Sequence, residues 1–279
     1  FDWQAIKGAD TLLERGVKDD DVLFLFGKQL SVNISPLITI GRKLGLSFGQ
    51  MCNEGNSIVS ISRLTKLLGE IAVSLGVEVY TGFGAKEILY DTDRKKVNGI
   101  KLVDQGLDKE GNPQPNYVKG ETITADVVIR AEGTDGLITE DLVAKAGLTR
   151  KNNQVFSVGV KEIIIVSKKQ YELFGDNRAL HTMGYPLWSP VFGPAIFGGG
   201  FAYSYGDNKI AVGIIVGADW KYYNFNPQKA FEDFKQHTFI RQFVDGGEVI
   251  EAGVKMIPEG GYYAVPRSLQ QDTNGKIRD

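Results

Sequence analysis

The chain has 279 residues, 32 Lys+Arg against 34 Asp+Glu, 34 Gly, 9 Pro and one Cys. At roughly 150 residues per domain that length holds about two domains with an ample core, and a net charge of -2 argues against a general nucleic-acid binder, which needs a marked Lys/Arg excess. A lone Cys52 excludes an internal disulfide, a four-cysteine zinc site and an iron–sulfur cluster held by this chain alone. Glycine, at about 12% against a usual ~7%, is the skewed number, and it points to places where backbone must approach something closely.

The N-terminal segment Phe1-Asp2-Trp3-Gln4 has neither the basic region nor the apolar run of a signal peptide, and the chain reads as starting within a longer protein. Val22 to Phe26 and Leu30 to Ile34 predict two short strands around a Gly27-Lys28 turn, followed by a glycine-rich connection through Gly41, Gly45 and Gly49. Leu64, Leu67, Leu68, Ile71, Ala72 and Leu75 fall on one face of a helix over Arg63–Leu75, which Gly76 ends. A strand Val77–Tyr80 follows, then a hairpin pairing Glu87–Tyr90 with Val97–Leu102 across a charged tip at Asp91 to Lys96. Asp104 to Gly120 reads as an exposed loop, Asp126–Ala131 as a buried parallel strand, and Glu140 to Lys145 as part of a helix.

Beyond residue 150 the pattern becomes antiparallel. Val155–Val166, Phe197–Tyr205 and Ile210–Gly217 read as strands, the last two joined by Gly206-Asp207-Asn208-Lys209. Asn226-Pro227 opens a helix carrying Phe231 and Phe234, and Glu248–Met256 reads as a further strand. The uncharged run Ala179 to Gly206 is long enough to span a bilayer, but three prolines and several glycines exclude a lipid-exposed helix.

The catalytic inventory is thin. Gly82-Phe83-Gly84 lacks a third glycine and opens no helix, so it reads as a turn. Two histidines, His181 and His237, are too few for a His-rich metal site and give a Ser/His/Asp triad little support. What stands out is Phe197-Gly198-Gly199-Gly200-Phe201, three glycines between aromatics in a β-rich run. It is either a kinked strand or a place where a carbonyl-bearing apolar ligand meets the backbone, with Phe197, Phe201 and Tyr203 as flat contacts.

These residues, with His181-Thr182-Met183-Gly184-Tyr185-Pro186-Leu187 and Ala211-Val212-Gly213-Ile214-Ile215-Val216-Gly217-Ala218-Asp219-Trp220, resemble the quinone domain of electron transfer flavoprotein–ubiquinone oxidoreductases and their FixC-type relatives, whose motifs read HTVGWPL, YGGSF and AVGLVVGLDY. The resemblance covers about residues 1 to 268. It implies an α+β fold, an α/β remnant plus a mixed antiparallel sheet: the quinone-binding domain (residues 1–60 and 151–268) of a glutathione-reductase-type flavoprotein, part of its FAD domain (61–150) and a tail (269–279). It further implies an enzyme passing electrons from reduced electron-transfer flavoprotein through FAD to membrane quinone, with peripheral membrane contact on the cytoplasmic face in a prokaryote or at the inner mitochondrial membrane in a eukaryote.

By the same resemblance Gly198 and Gly199 meet the quinone headgroup through main-chain atoms, Phe197, Phe201 and Pro186 pack on it, and Arg63 with Ala131, Glu132 and Gly133 lines the FAD cleft. His181 is either a structural histidine or a hydrogen-bonding neighbour of the quinone, and Arg63 either a flavin contact or a solvated helix-end arginine. Tyr185 stands where the family usually has Trp, and Gly200 where it has Ser. An extra apolar stretch, Trp188 to Ala195, reads as a surface that meets the bilayer.

The family's FAD fingerprint and later FAD segment are missing from this sequence, so the chain by itself is expected to retain FAD poorly. Any [4Fe-4S] cluster lies outside it, and a ferredoxin-like partner is then implied. The other readings are a geranylgeranyl-reductase-like prenyl lipid reductase and a non-catalytic quinone- or lipid-binding piece.

Overall fold

The structure is a computed structural model that describes residues 15–46, 53–92, 96–188, 195–267, 270–271 and 277–278. The chain forms two compact units, residues 1–71 with 155–259, and residues 72–154 with 260–279.

The first unit begins with the expected hairpin, β1 (Asp19–Phe26) against β2 (Leu30–Asn33). The expected glycine-rich connection is instead a helix, α1 (Ser35–Lys43), because a proline sits in its first turn and Ile38 and Gly41 give it an inward face. Helix α2 (Ile61–Ser74) follows as expected, with Ser60 Oγ accepting from the Arg63 amide and Gly76 at a positive φ just beyond its end.

In the second unit β3 (Ala85–Tyr90), β4 (Val97–Leu102) and β7 (Thr122–Thr124) form a three-stranded antiparallel sheet. The charged tip falls partly on residues 93–95, outside the described residues. The segment expected to be a loop contains a hairpin, β5 (Gln105–Leu107) with β6 (Pro113–Val118). It is closed by Asp108, whose carboxylate accepts from the Asn112 amide at 2.7 Å, and by a positive φ at Gly111. Helix α3 (Leu137–Lys145) follows a short turn at Gly133–Asp135.

Two expected strands are not formed. Residues 77–80 and 126–131 lie in no ladder, and Val79, Tyr80, Val127 and Ile129 are exposed. An apolar β-prone run becomes a strand only beside a partner, and among the described residues none lies alongside.

The first unit is completed by β8 (Phe156–Ile165), α4 (Lys168–Phe174), β9 (Arg178–Gly184), β10 (Gly198–Gly206), β11 (Lys209–Gly217), α5 (Pro227–Gln236), α6 (Thr238–Val244) and β12 (Glu248–Pro258). Its sheet has seven strands in the order β12-β8-β11-β10-β9-β1-β2, with β1 parallel to β9 and the other neighbours antiparallel. The fold is therefore α+β with a mixed sheet. Asp207 and Asn208 both have positive φ, the geometry of a tight two-residue hairpin turn.

Alternation sorts the sheet into two faces. Leu25, Leu180, Ala202, Val212, Ile214 and Val160 join Phe231, Phe234 and Ile240 in one buried cluster, so α5 and α6 cover this face. Lys235 of α5 reaches Glu162 of β8 at 2.8 Å, both nearly buried. Burial lowers the Lys235 pKa, but bonds to Glu162 and Glu232 outweigh it and the net direction is up. Breaking such a pair costs about 3–5 kcal/mol.

His237 joins α5 to α6. It is fully buried, its Nδ1 accepts from the Phe239 amide at 3.2 Å, and its Nε2 has no hydrogen-bond partner among the described residues. Burial pushes its pKa down. The unfolded imidazole binds a proton near pH 6.5, before the folded one does, so stability is fullest above that value and is lost as pH falls toward the lowered folded value. Thermal midpoints should drop between pH 7.5 and 5.5, and His237→Asn, which can keep the cap, should flatten that slope; an unchanged slope would refute the assignment.

Candidate functional site

The three glycines open β10. Gly198 has φ +146°, and a Cβ there would overlap the Ile215 carbonyl and press on Leu187. A Cβ on Gly199 would overlap the Thr182 carbonyl, and one on Gly200 would overlap the Phe234 ring. Side chains are thus excluded at all three positions, each by a different neighbour. The Gly200 amide donates to Thr182 Oγ1 at 3.1 Å. The ladder with β9 begins at Gly200↔Thr182, whereas that with β11 extends to Gly198↔Val216. Gly198 and Gly199 therefore lie ahead of the β9 ladder, half-buried, with bare backbone at the strand's start.

Gly200 directs its missing side chain at α5, so Gly199 and Phe201 belong to the opposite face of the sheet. The Phe201 ring lies over Gly213, where a Cβ would overlap it, and stacks with Tyr203 at 6.1 Å and 15°. Lys161 Nζ lies 3.4 Å from Tyr203 Oη. Phe201 is the cross-strand partner of His181, and His181 is the partner of Val22 on β1.

Behind His181 stands a carboxylate that carried no motif in the sequence. Asp20 has a side chain 1% exposed, and its Oδ2 accepts from the Asn53 backbone amide at 2.6 Å and side-chain amide at 2.9 Å. Its Oδ1 lies 3.0 Å from His181 Nε2, a contact that is a hydrogen bond only when Nε2 is protonated; with Nε2 bare, Oδ1 is a buried oxygen without a donor. Burial pushes the Asp20 pKa up, but the bonds with His181 and Asn53 outweigh it and hold it below the usual value. The Asn53 side-chain amide also lies 3.1 Å from Nε2.

Gly198, Gly199, Phe201 and His181 thus occur on one pair of adjacent strands. Phe197 precedes them, 70% exposed, with its carbonyl accepting from Gly217. Pro186 is separate, lining an open cleft of about 290 Å³ on the α5 side with Tyr222, Phe225, Lys229 and Asp233. Tyr185 beside it packs 5.5 Å from the His237 ring. Trp188 is exposed, and residues 189–194 of the extra apolar stretch lie outside the described residues.

Arg63 lies in the first turn of α2 in the first unit, with its side chain exposed. In the second unit, Glu132 accepts from the Thr139 amide at 2.8 Å and from its hydroxyl at 2.5 Å, so its carboxylate supports the start of α3. Ala131 is exposed, and Gly133 has φ +67° with open space where a Cβ would stand. An exposed guanidinium and side-chain-free backbone at a turn are groups that fit the phosphate side of a dinucleotide.

The fit at Gly200 is testable. Gly200→Ala drives a methyl into the fully buried Phe234 ring, an overpacking that costs about 1–3 kcal/mol. Calorimetry should show a lowered melting temperature, partly restored by adding Phe234→Leu; equal stability of wild type and Gly200→Ala would show that the ring does not define this position.

Comparison with known proteins bears on the same region. Residues 156–257 match the family model described as electron transfer flavoprotein–ubiquinone oxidoreductase, ubiquinone-binding. The probable mitochondrial electron transfer flavoprotein–ubiquinone oxidoreductase of Saccharomyces cerevisiae is 36% identical over 220 residues, covering 78% of this chain and 33% of the relative. The enzyme of that name from Dictyostelium discoideum is 34% identical over 268 residues, 95% of this chain and 40% of the relative. The Homo sapiens one is 34% identical over 220 residues, 78% of this chain and 34% of the relative. The chain therefore spans about a third to two fifths of the length of these relatives. Among solved structures, a geranylgeranyl bacteriochlorophyll reductase-like protein of Thermoplasma acidophilum aligns with TM-score 0.57 at 15% identity, covering 89% of this chain and 51% of that one. The flavin-dependent brominase Bmp2 aligns with TM-score 0.52 at 12% identity, covering 92% of this chain and 53% of its own. At such identities the shared property is the fold. Residues 156–257 thus match the ubiquinone-binding domain of this family, and most of the chain is similar in sequence to electron transfer flavoprotein–ubiquinone oxidoreductases.

Proposed function

We propose that this chain carries the quinone-binding domain, residues 1–60 and 151–268, and part of the FAD domain, residues 61–150, of an enzyme that passes electrons from reduced electron-transfer flavoprotein to membrane quinone. The observation that carries the reading is the start of β10. Two glycines lie ahead of the β9 ladder, beside an aromatic pair, inside the segment that matches a ubiquinone-binding family model. The two compact units support the division into domains.

Gly198 and Gly199 hold the quinone headgroup by main-chain hydrogen bonds at the end of β10 that β9 does not pair. Phe201 gives the ring a flat contact on the face opposite α5, and Phe197 flanks the entry. Arg63 in the first unit, and separately Ala131, Glu132 and Gly133 in the second, are assigned to the flavin, with Glu132 fixing the turn before α3. FAD, when bound, supplies the redox chemistry, and the protein supplies binding, orientation and electrostatics. A [4Fe-4S] cluster, where the parent protein has one, lies outside this chain, and a separate ferredoxin-like partner is the other source of that function.

No helix among the described residues is long and apolar enough to cross a membrane. In this reading quinone is taken up by peripheral contact, for which the exposed Trp188 and Phe197 are the candidates.

The full-length gene product, loaded with FAD, should oxidise reduced electron-transfer flavoprotein and reduce ubiquinone, with no reduction of a geranylgeranyl lipid. Phe201→Ala removes an aromatic contact worth about 0.5–1.5 kcal/mol, so KM for quinone should rise roughly two- to twelvefold. Reduction of the prenyl lipid in place of quinone, or a quinone KM indifferent to Phe201, would overturn the reading.

A further inference from the structure

The buried Asp20 stands behind a half-exposed His181, while Asp21 lies on the other face of the sheet. Asp21 binds Arg178, while Asp20 binds only Asn53 and His181 among the described residues. The arrangement around His181 Nε2 has two states that differ by one proton. With a proton on Nε2, the bond runs to Asp20 Oδ1; without it, Nε2 accepts from the Asn53 side-chain amide. Nδ1 has no hydrogen-bond partner among the described residues, and the His181 side chain is 40% exposed.

We propose that His181, held by Asp20 and Asn53, is the proton donor to the quinone. The inference rests on the quinone reading above and assigns the chemistry of that site. By strand alternation Gly199 falls on the face of His181, one residue ahead of the β9 ladder in which Phe201 pairs with His181, and residues so offset on one face of a sheet sit about 7–8 Å apart. A flat ring carrying a carbonyl at each end bridges a gap of that order, one carbonyl on the Gly198–Gly199 backbone and the other toward His181. Phe201, the direct cross-strand partner of His181, borders this gap, its ring lying over Gly213 of β11.

The step balances as follows. Reduction of quinone to quinol needs two electrons, which FAD would supply when bound, and two protons. One proton leaves imidazolium Nδ1 for the nearer quinone oxygen, the electron pair of that N–H bond staying on the ring, and the imidazole is left with its Nε2 proton bonded to Asp20. The second proton comes from water, which also recharges the exposed Nδ1. Asp20 stays ionised throughout, as its lowered pKa allows. Among the described residues, the other titratable side chains that strand alternation places on this face are Tyr203 and Tyr205 of β10, Lys209 of β11, Lys161 of β8 and Glu248, Glu251 and Lys255 of β12, and the Lys161 amine is engaged by the Tyr203 hydroxyl. His181 is thus a catalytic residue, and Asp20 and Asn53 are positioning residues.

The chain has only two histidines, so imidazole ¹⁵N spectra of the 279-residue protein report His181 beside a buried His237. At alkaline pH the His181 proton should reside on Nε2 in wild type and shift toward Nδ1 in Asp20→Asn, an isosteric change. In the full-length flavoprotein, His181→Gln should lower quinol formation by about 100-fold and abolish both its decline with rising pH and its solvent isotope effect, while reduction of the flavin by the donor serves as the control for folding. Added imidazole should restore turnover to His181→Ala. Wild-type rates and pH profile in His181→Gln, or an unaltered tautomer in Asp20→Asn, would overturn the proposal. A wild-type enzyme that reduces no quinone would instead bring down the functional reading, and this role with it.

Discussion

Phe234 fixes the geometry on which the first unit depends. Fully buried on α5, its ring occupies the space that a side chain at position 200 would fill, so helix and strand approach more closely than any residue but glycine permits. A serine at this position, as in the family motif that the sequence resembles, could not stand there without moving that ring. Burial of Phe231 and Phe234, each worth about 1.5–3 kcal/mol, holds the helix against β10 and β11. The bare backbone at Gly198 and Gly199 then follows as an extension of the same side-chain-free strand, beyond the point where β9 pairs with it.

The two faces of the sheet divide the work. The helix-covered face holds the aliphatic and aromatic core and a nearly buried Lys235–Glu162 pair. The other face carries aromatic rings, glycines and a histidine, the residue types of a binding surface. Gly213 illustrates the coupling between them: it lets the Phe201 ring lie flat on β11, while its neighbours Val212 and Ile214 point into the core.

Local chemistry was legible in the sequence; pairing across distance was not. The β1–β2 hairpin, the helix at Ile61–Ser74, the Asp207-Asn208 turn and the Asn226-Pro227 helix start all follow from short-range signals, and each is present. The runs at 77–80 and 126–131 carry equally strong apolar signals yet form no strand, since a strand is a relation between segments and those segments have no neighbour in a ladder among the described residues. The glycine run was visible as an anomaly, but what excludes side chains from it, Phe234, Ile215 and Thr182, lies 15 or more residues away. Pro186 was grouped with the quinone residues by its nearness in sequence, whereas the chain after β9 carries it into a cleft on the α5 side.

The run Asp19-Asp20-Asp21 shows why the site depends on register. As composition it is an acidic cluster before an apolar strand, and nothing in it separates one carboxylate from the next. Alternation does so once β1 lies parallel to β9 with Val22 opposite His181. Asp21 then faces Arg178, Asn33 and Ser35 and ties the sheet edge together, while Asp20 reaches the opposite face and stands behind His181. A slip of one residue would exchange the two carboxylates, leaving Arg178 without Asp21 and His181 without Asp20. The ion pair that locks the strand in place thereby also sets the partner of the histidine, so the stability of the edge and the chemistry of the face are fixed by the same alignment.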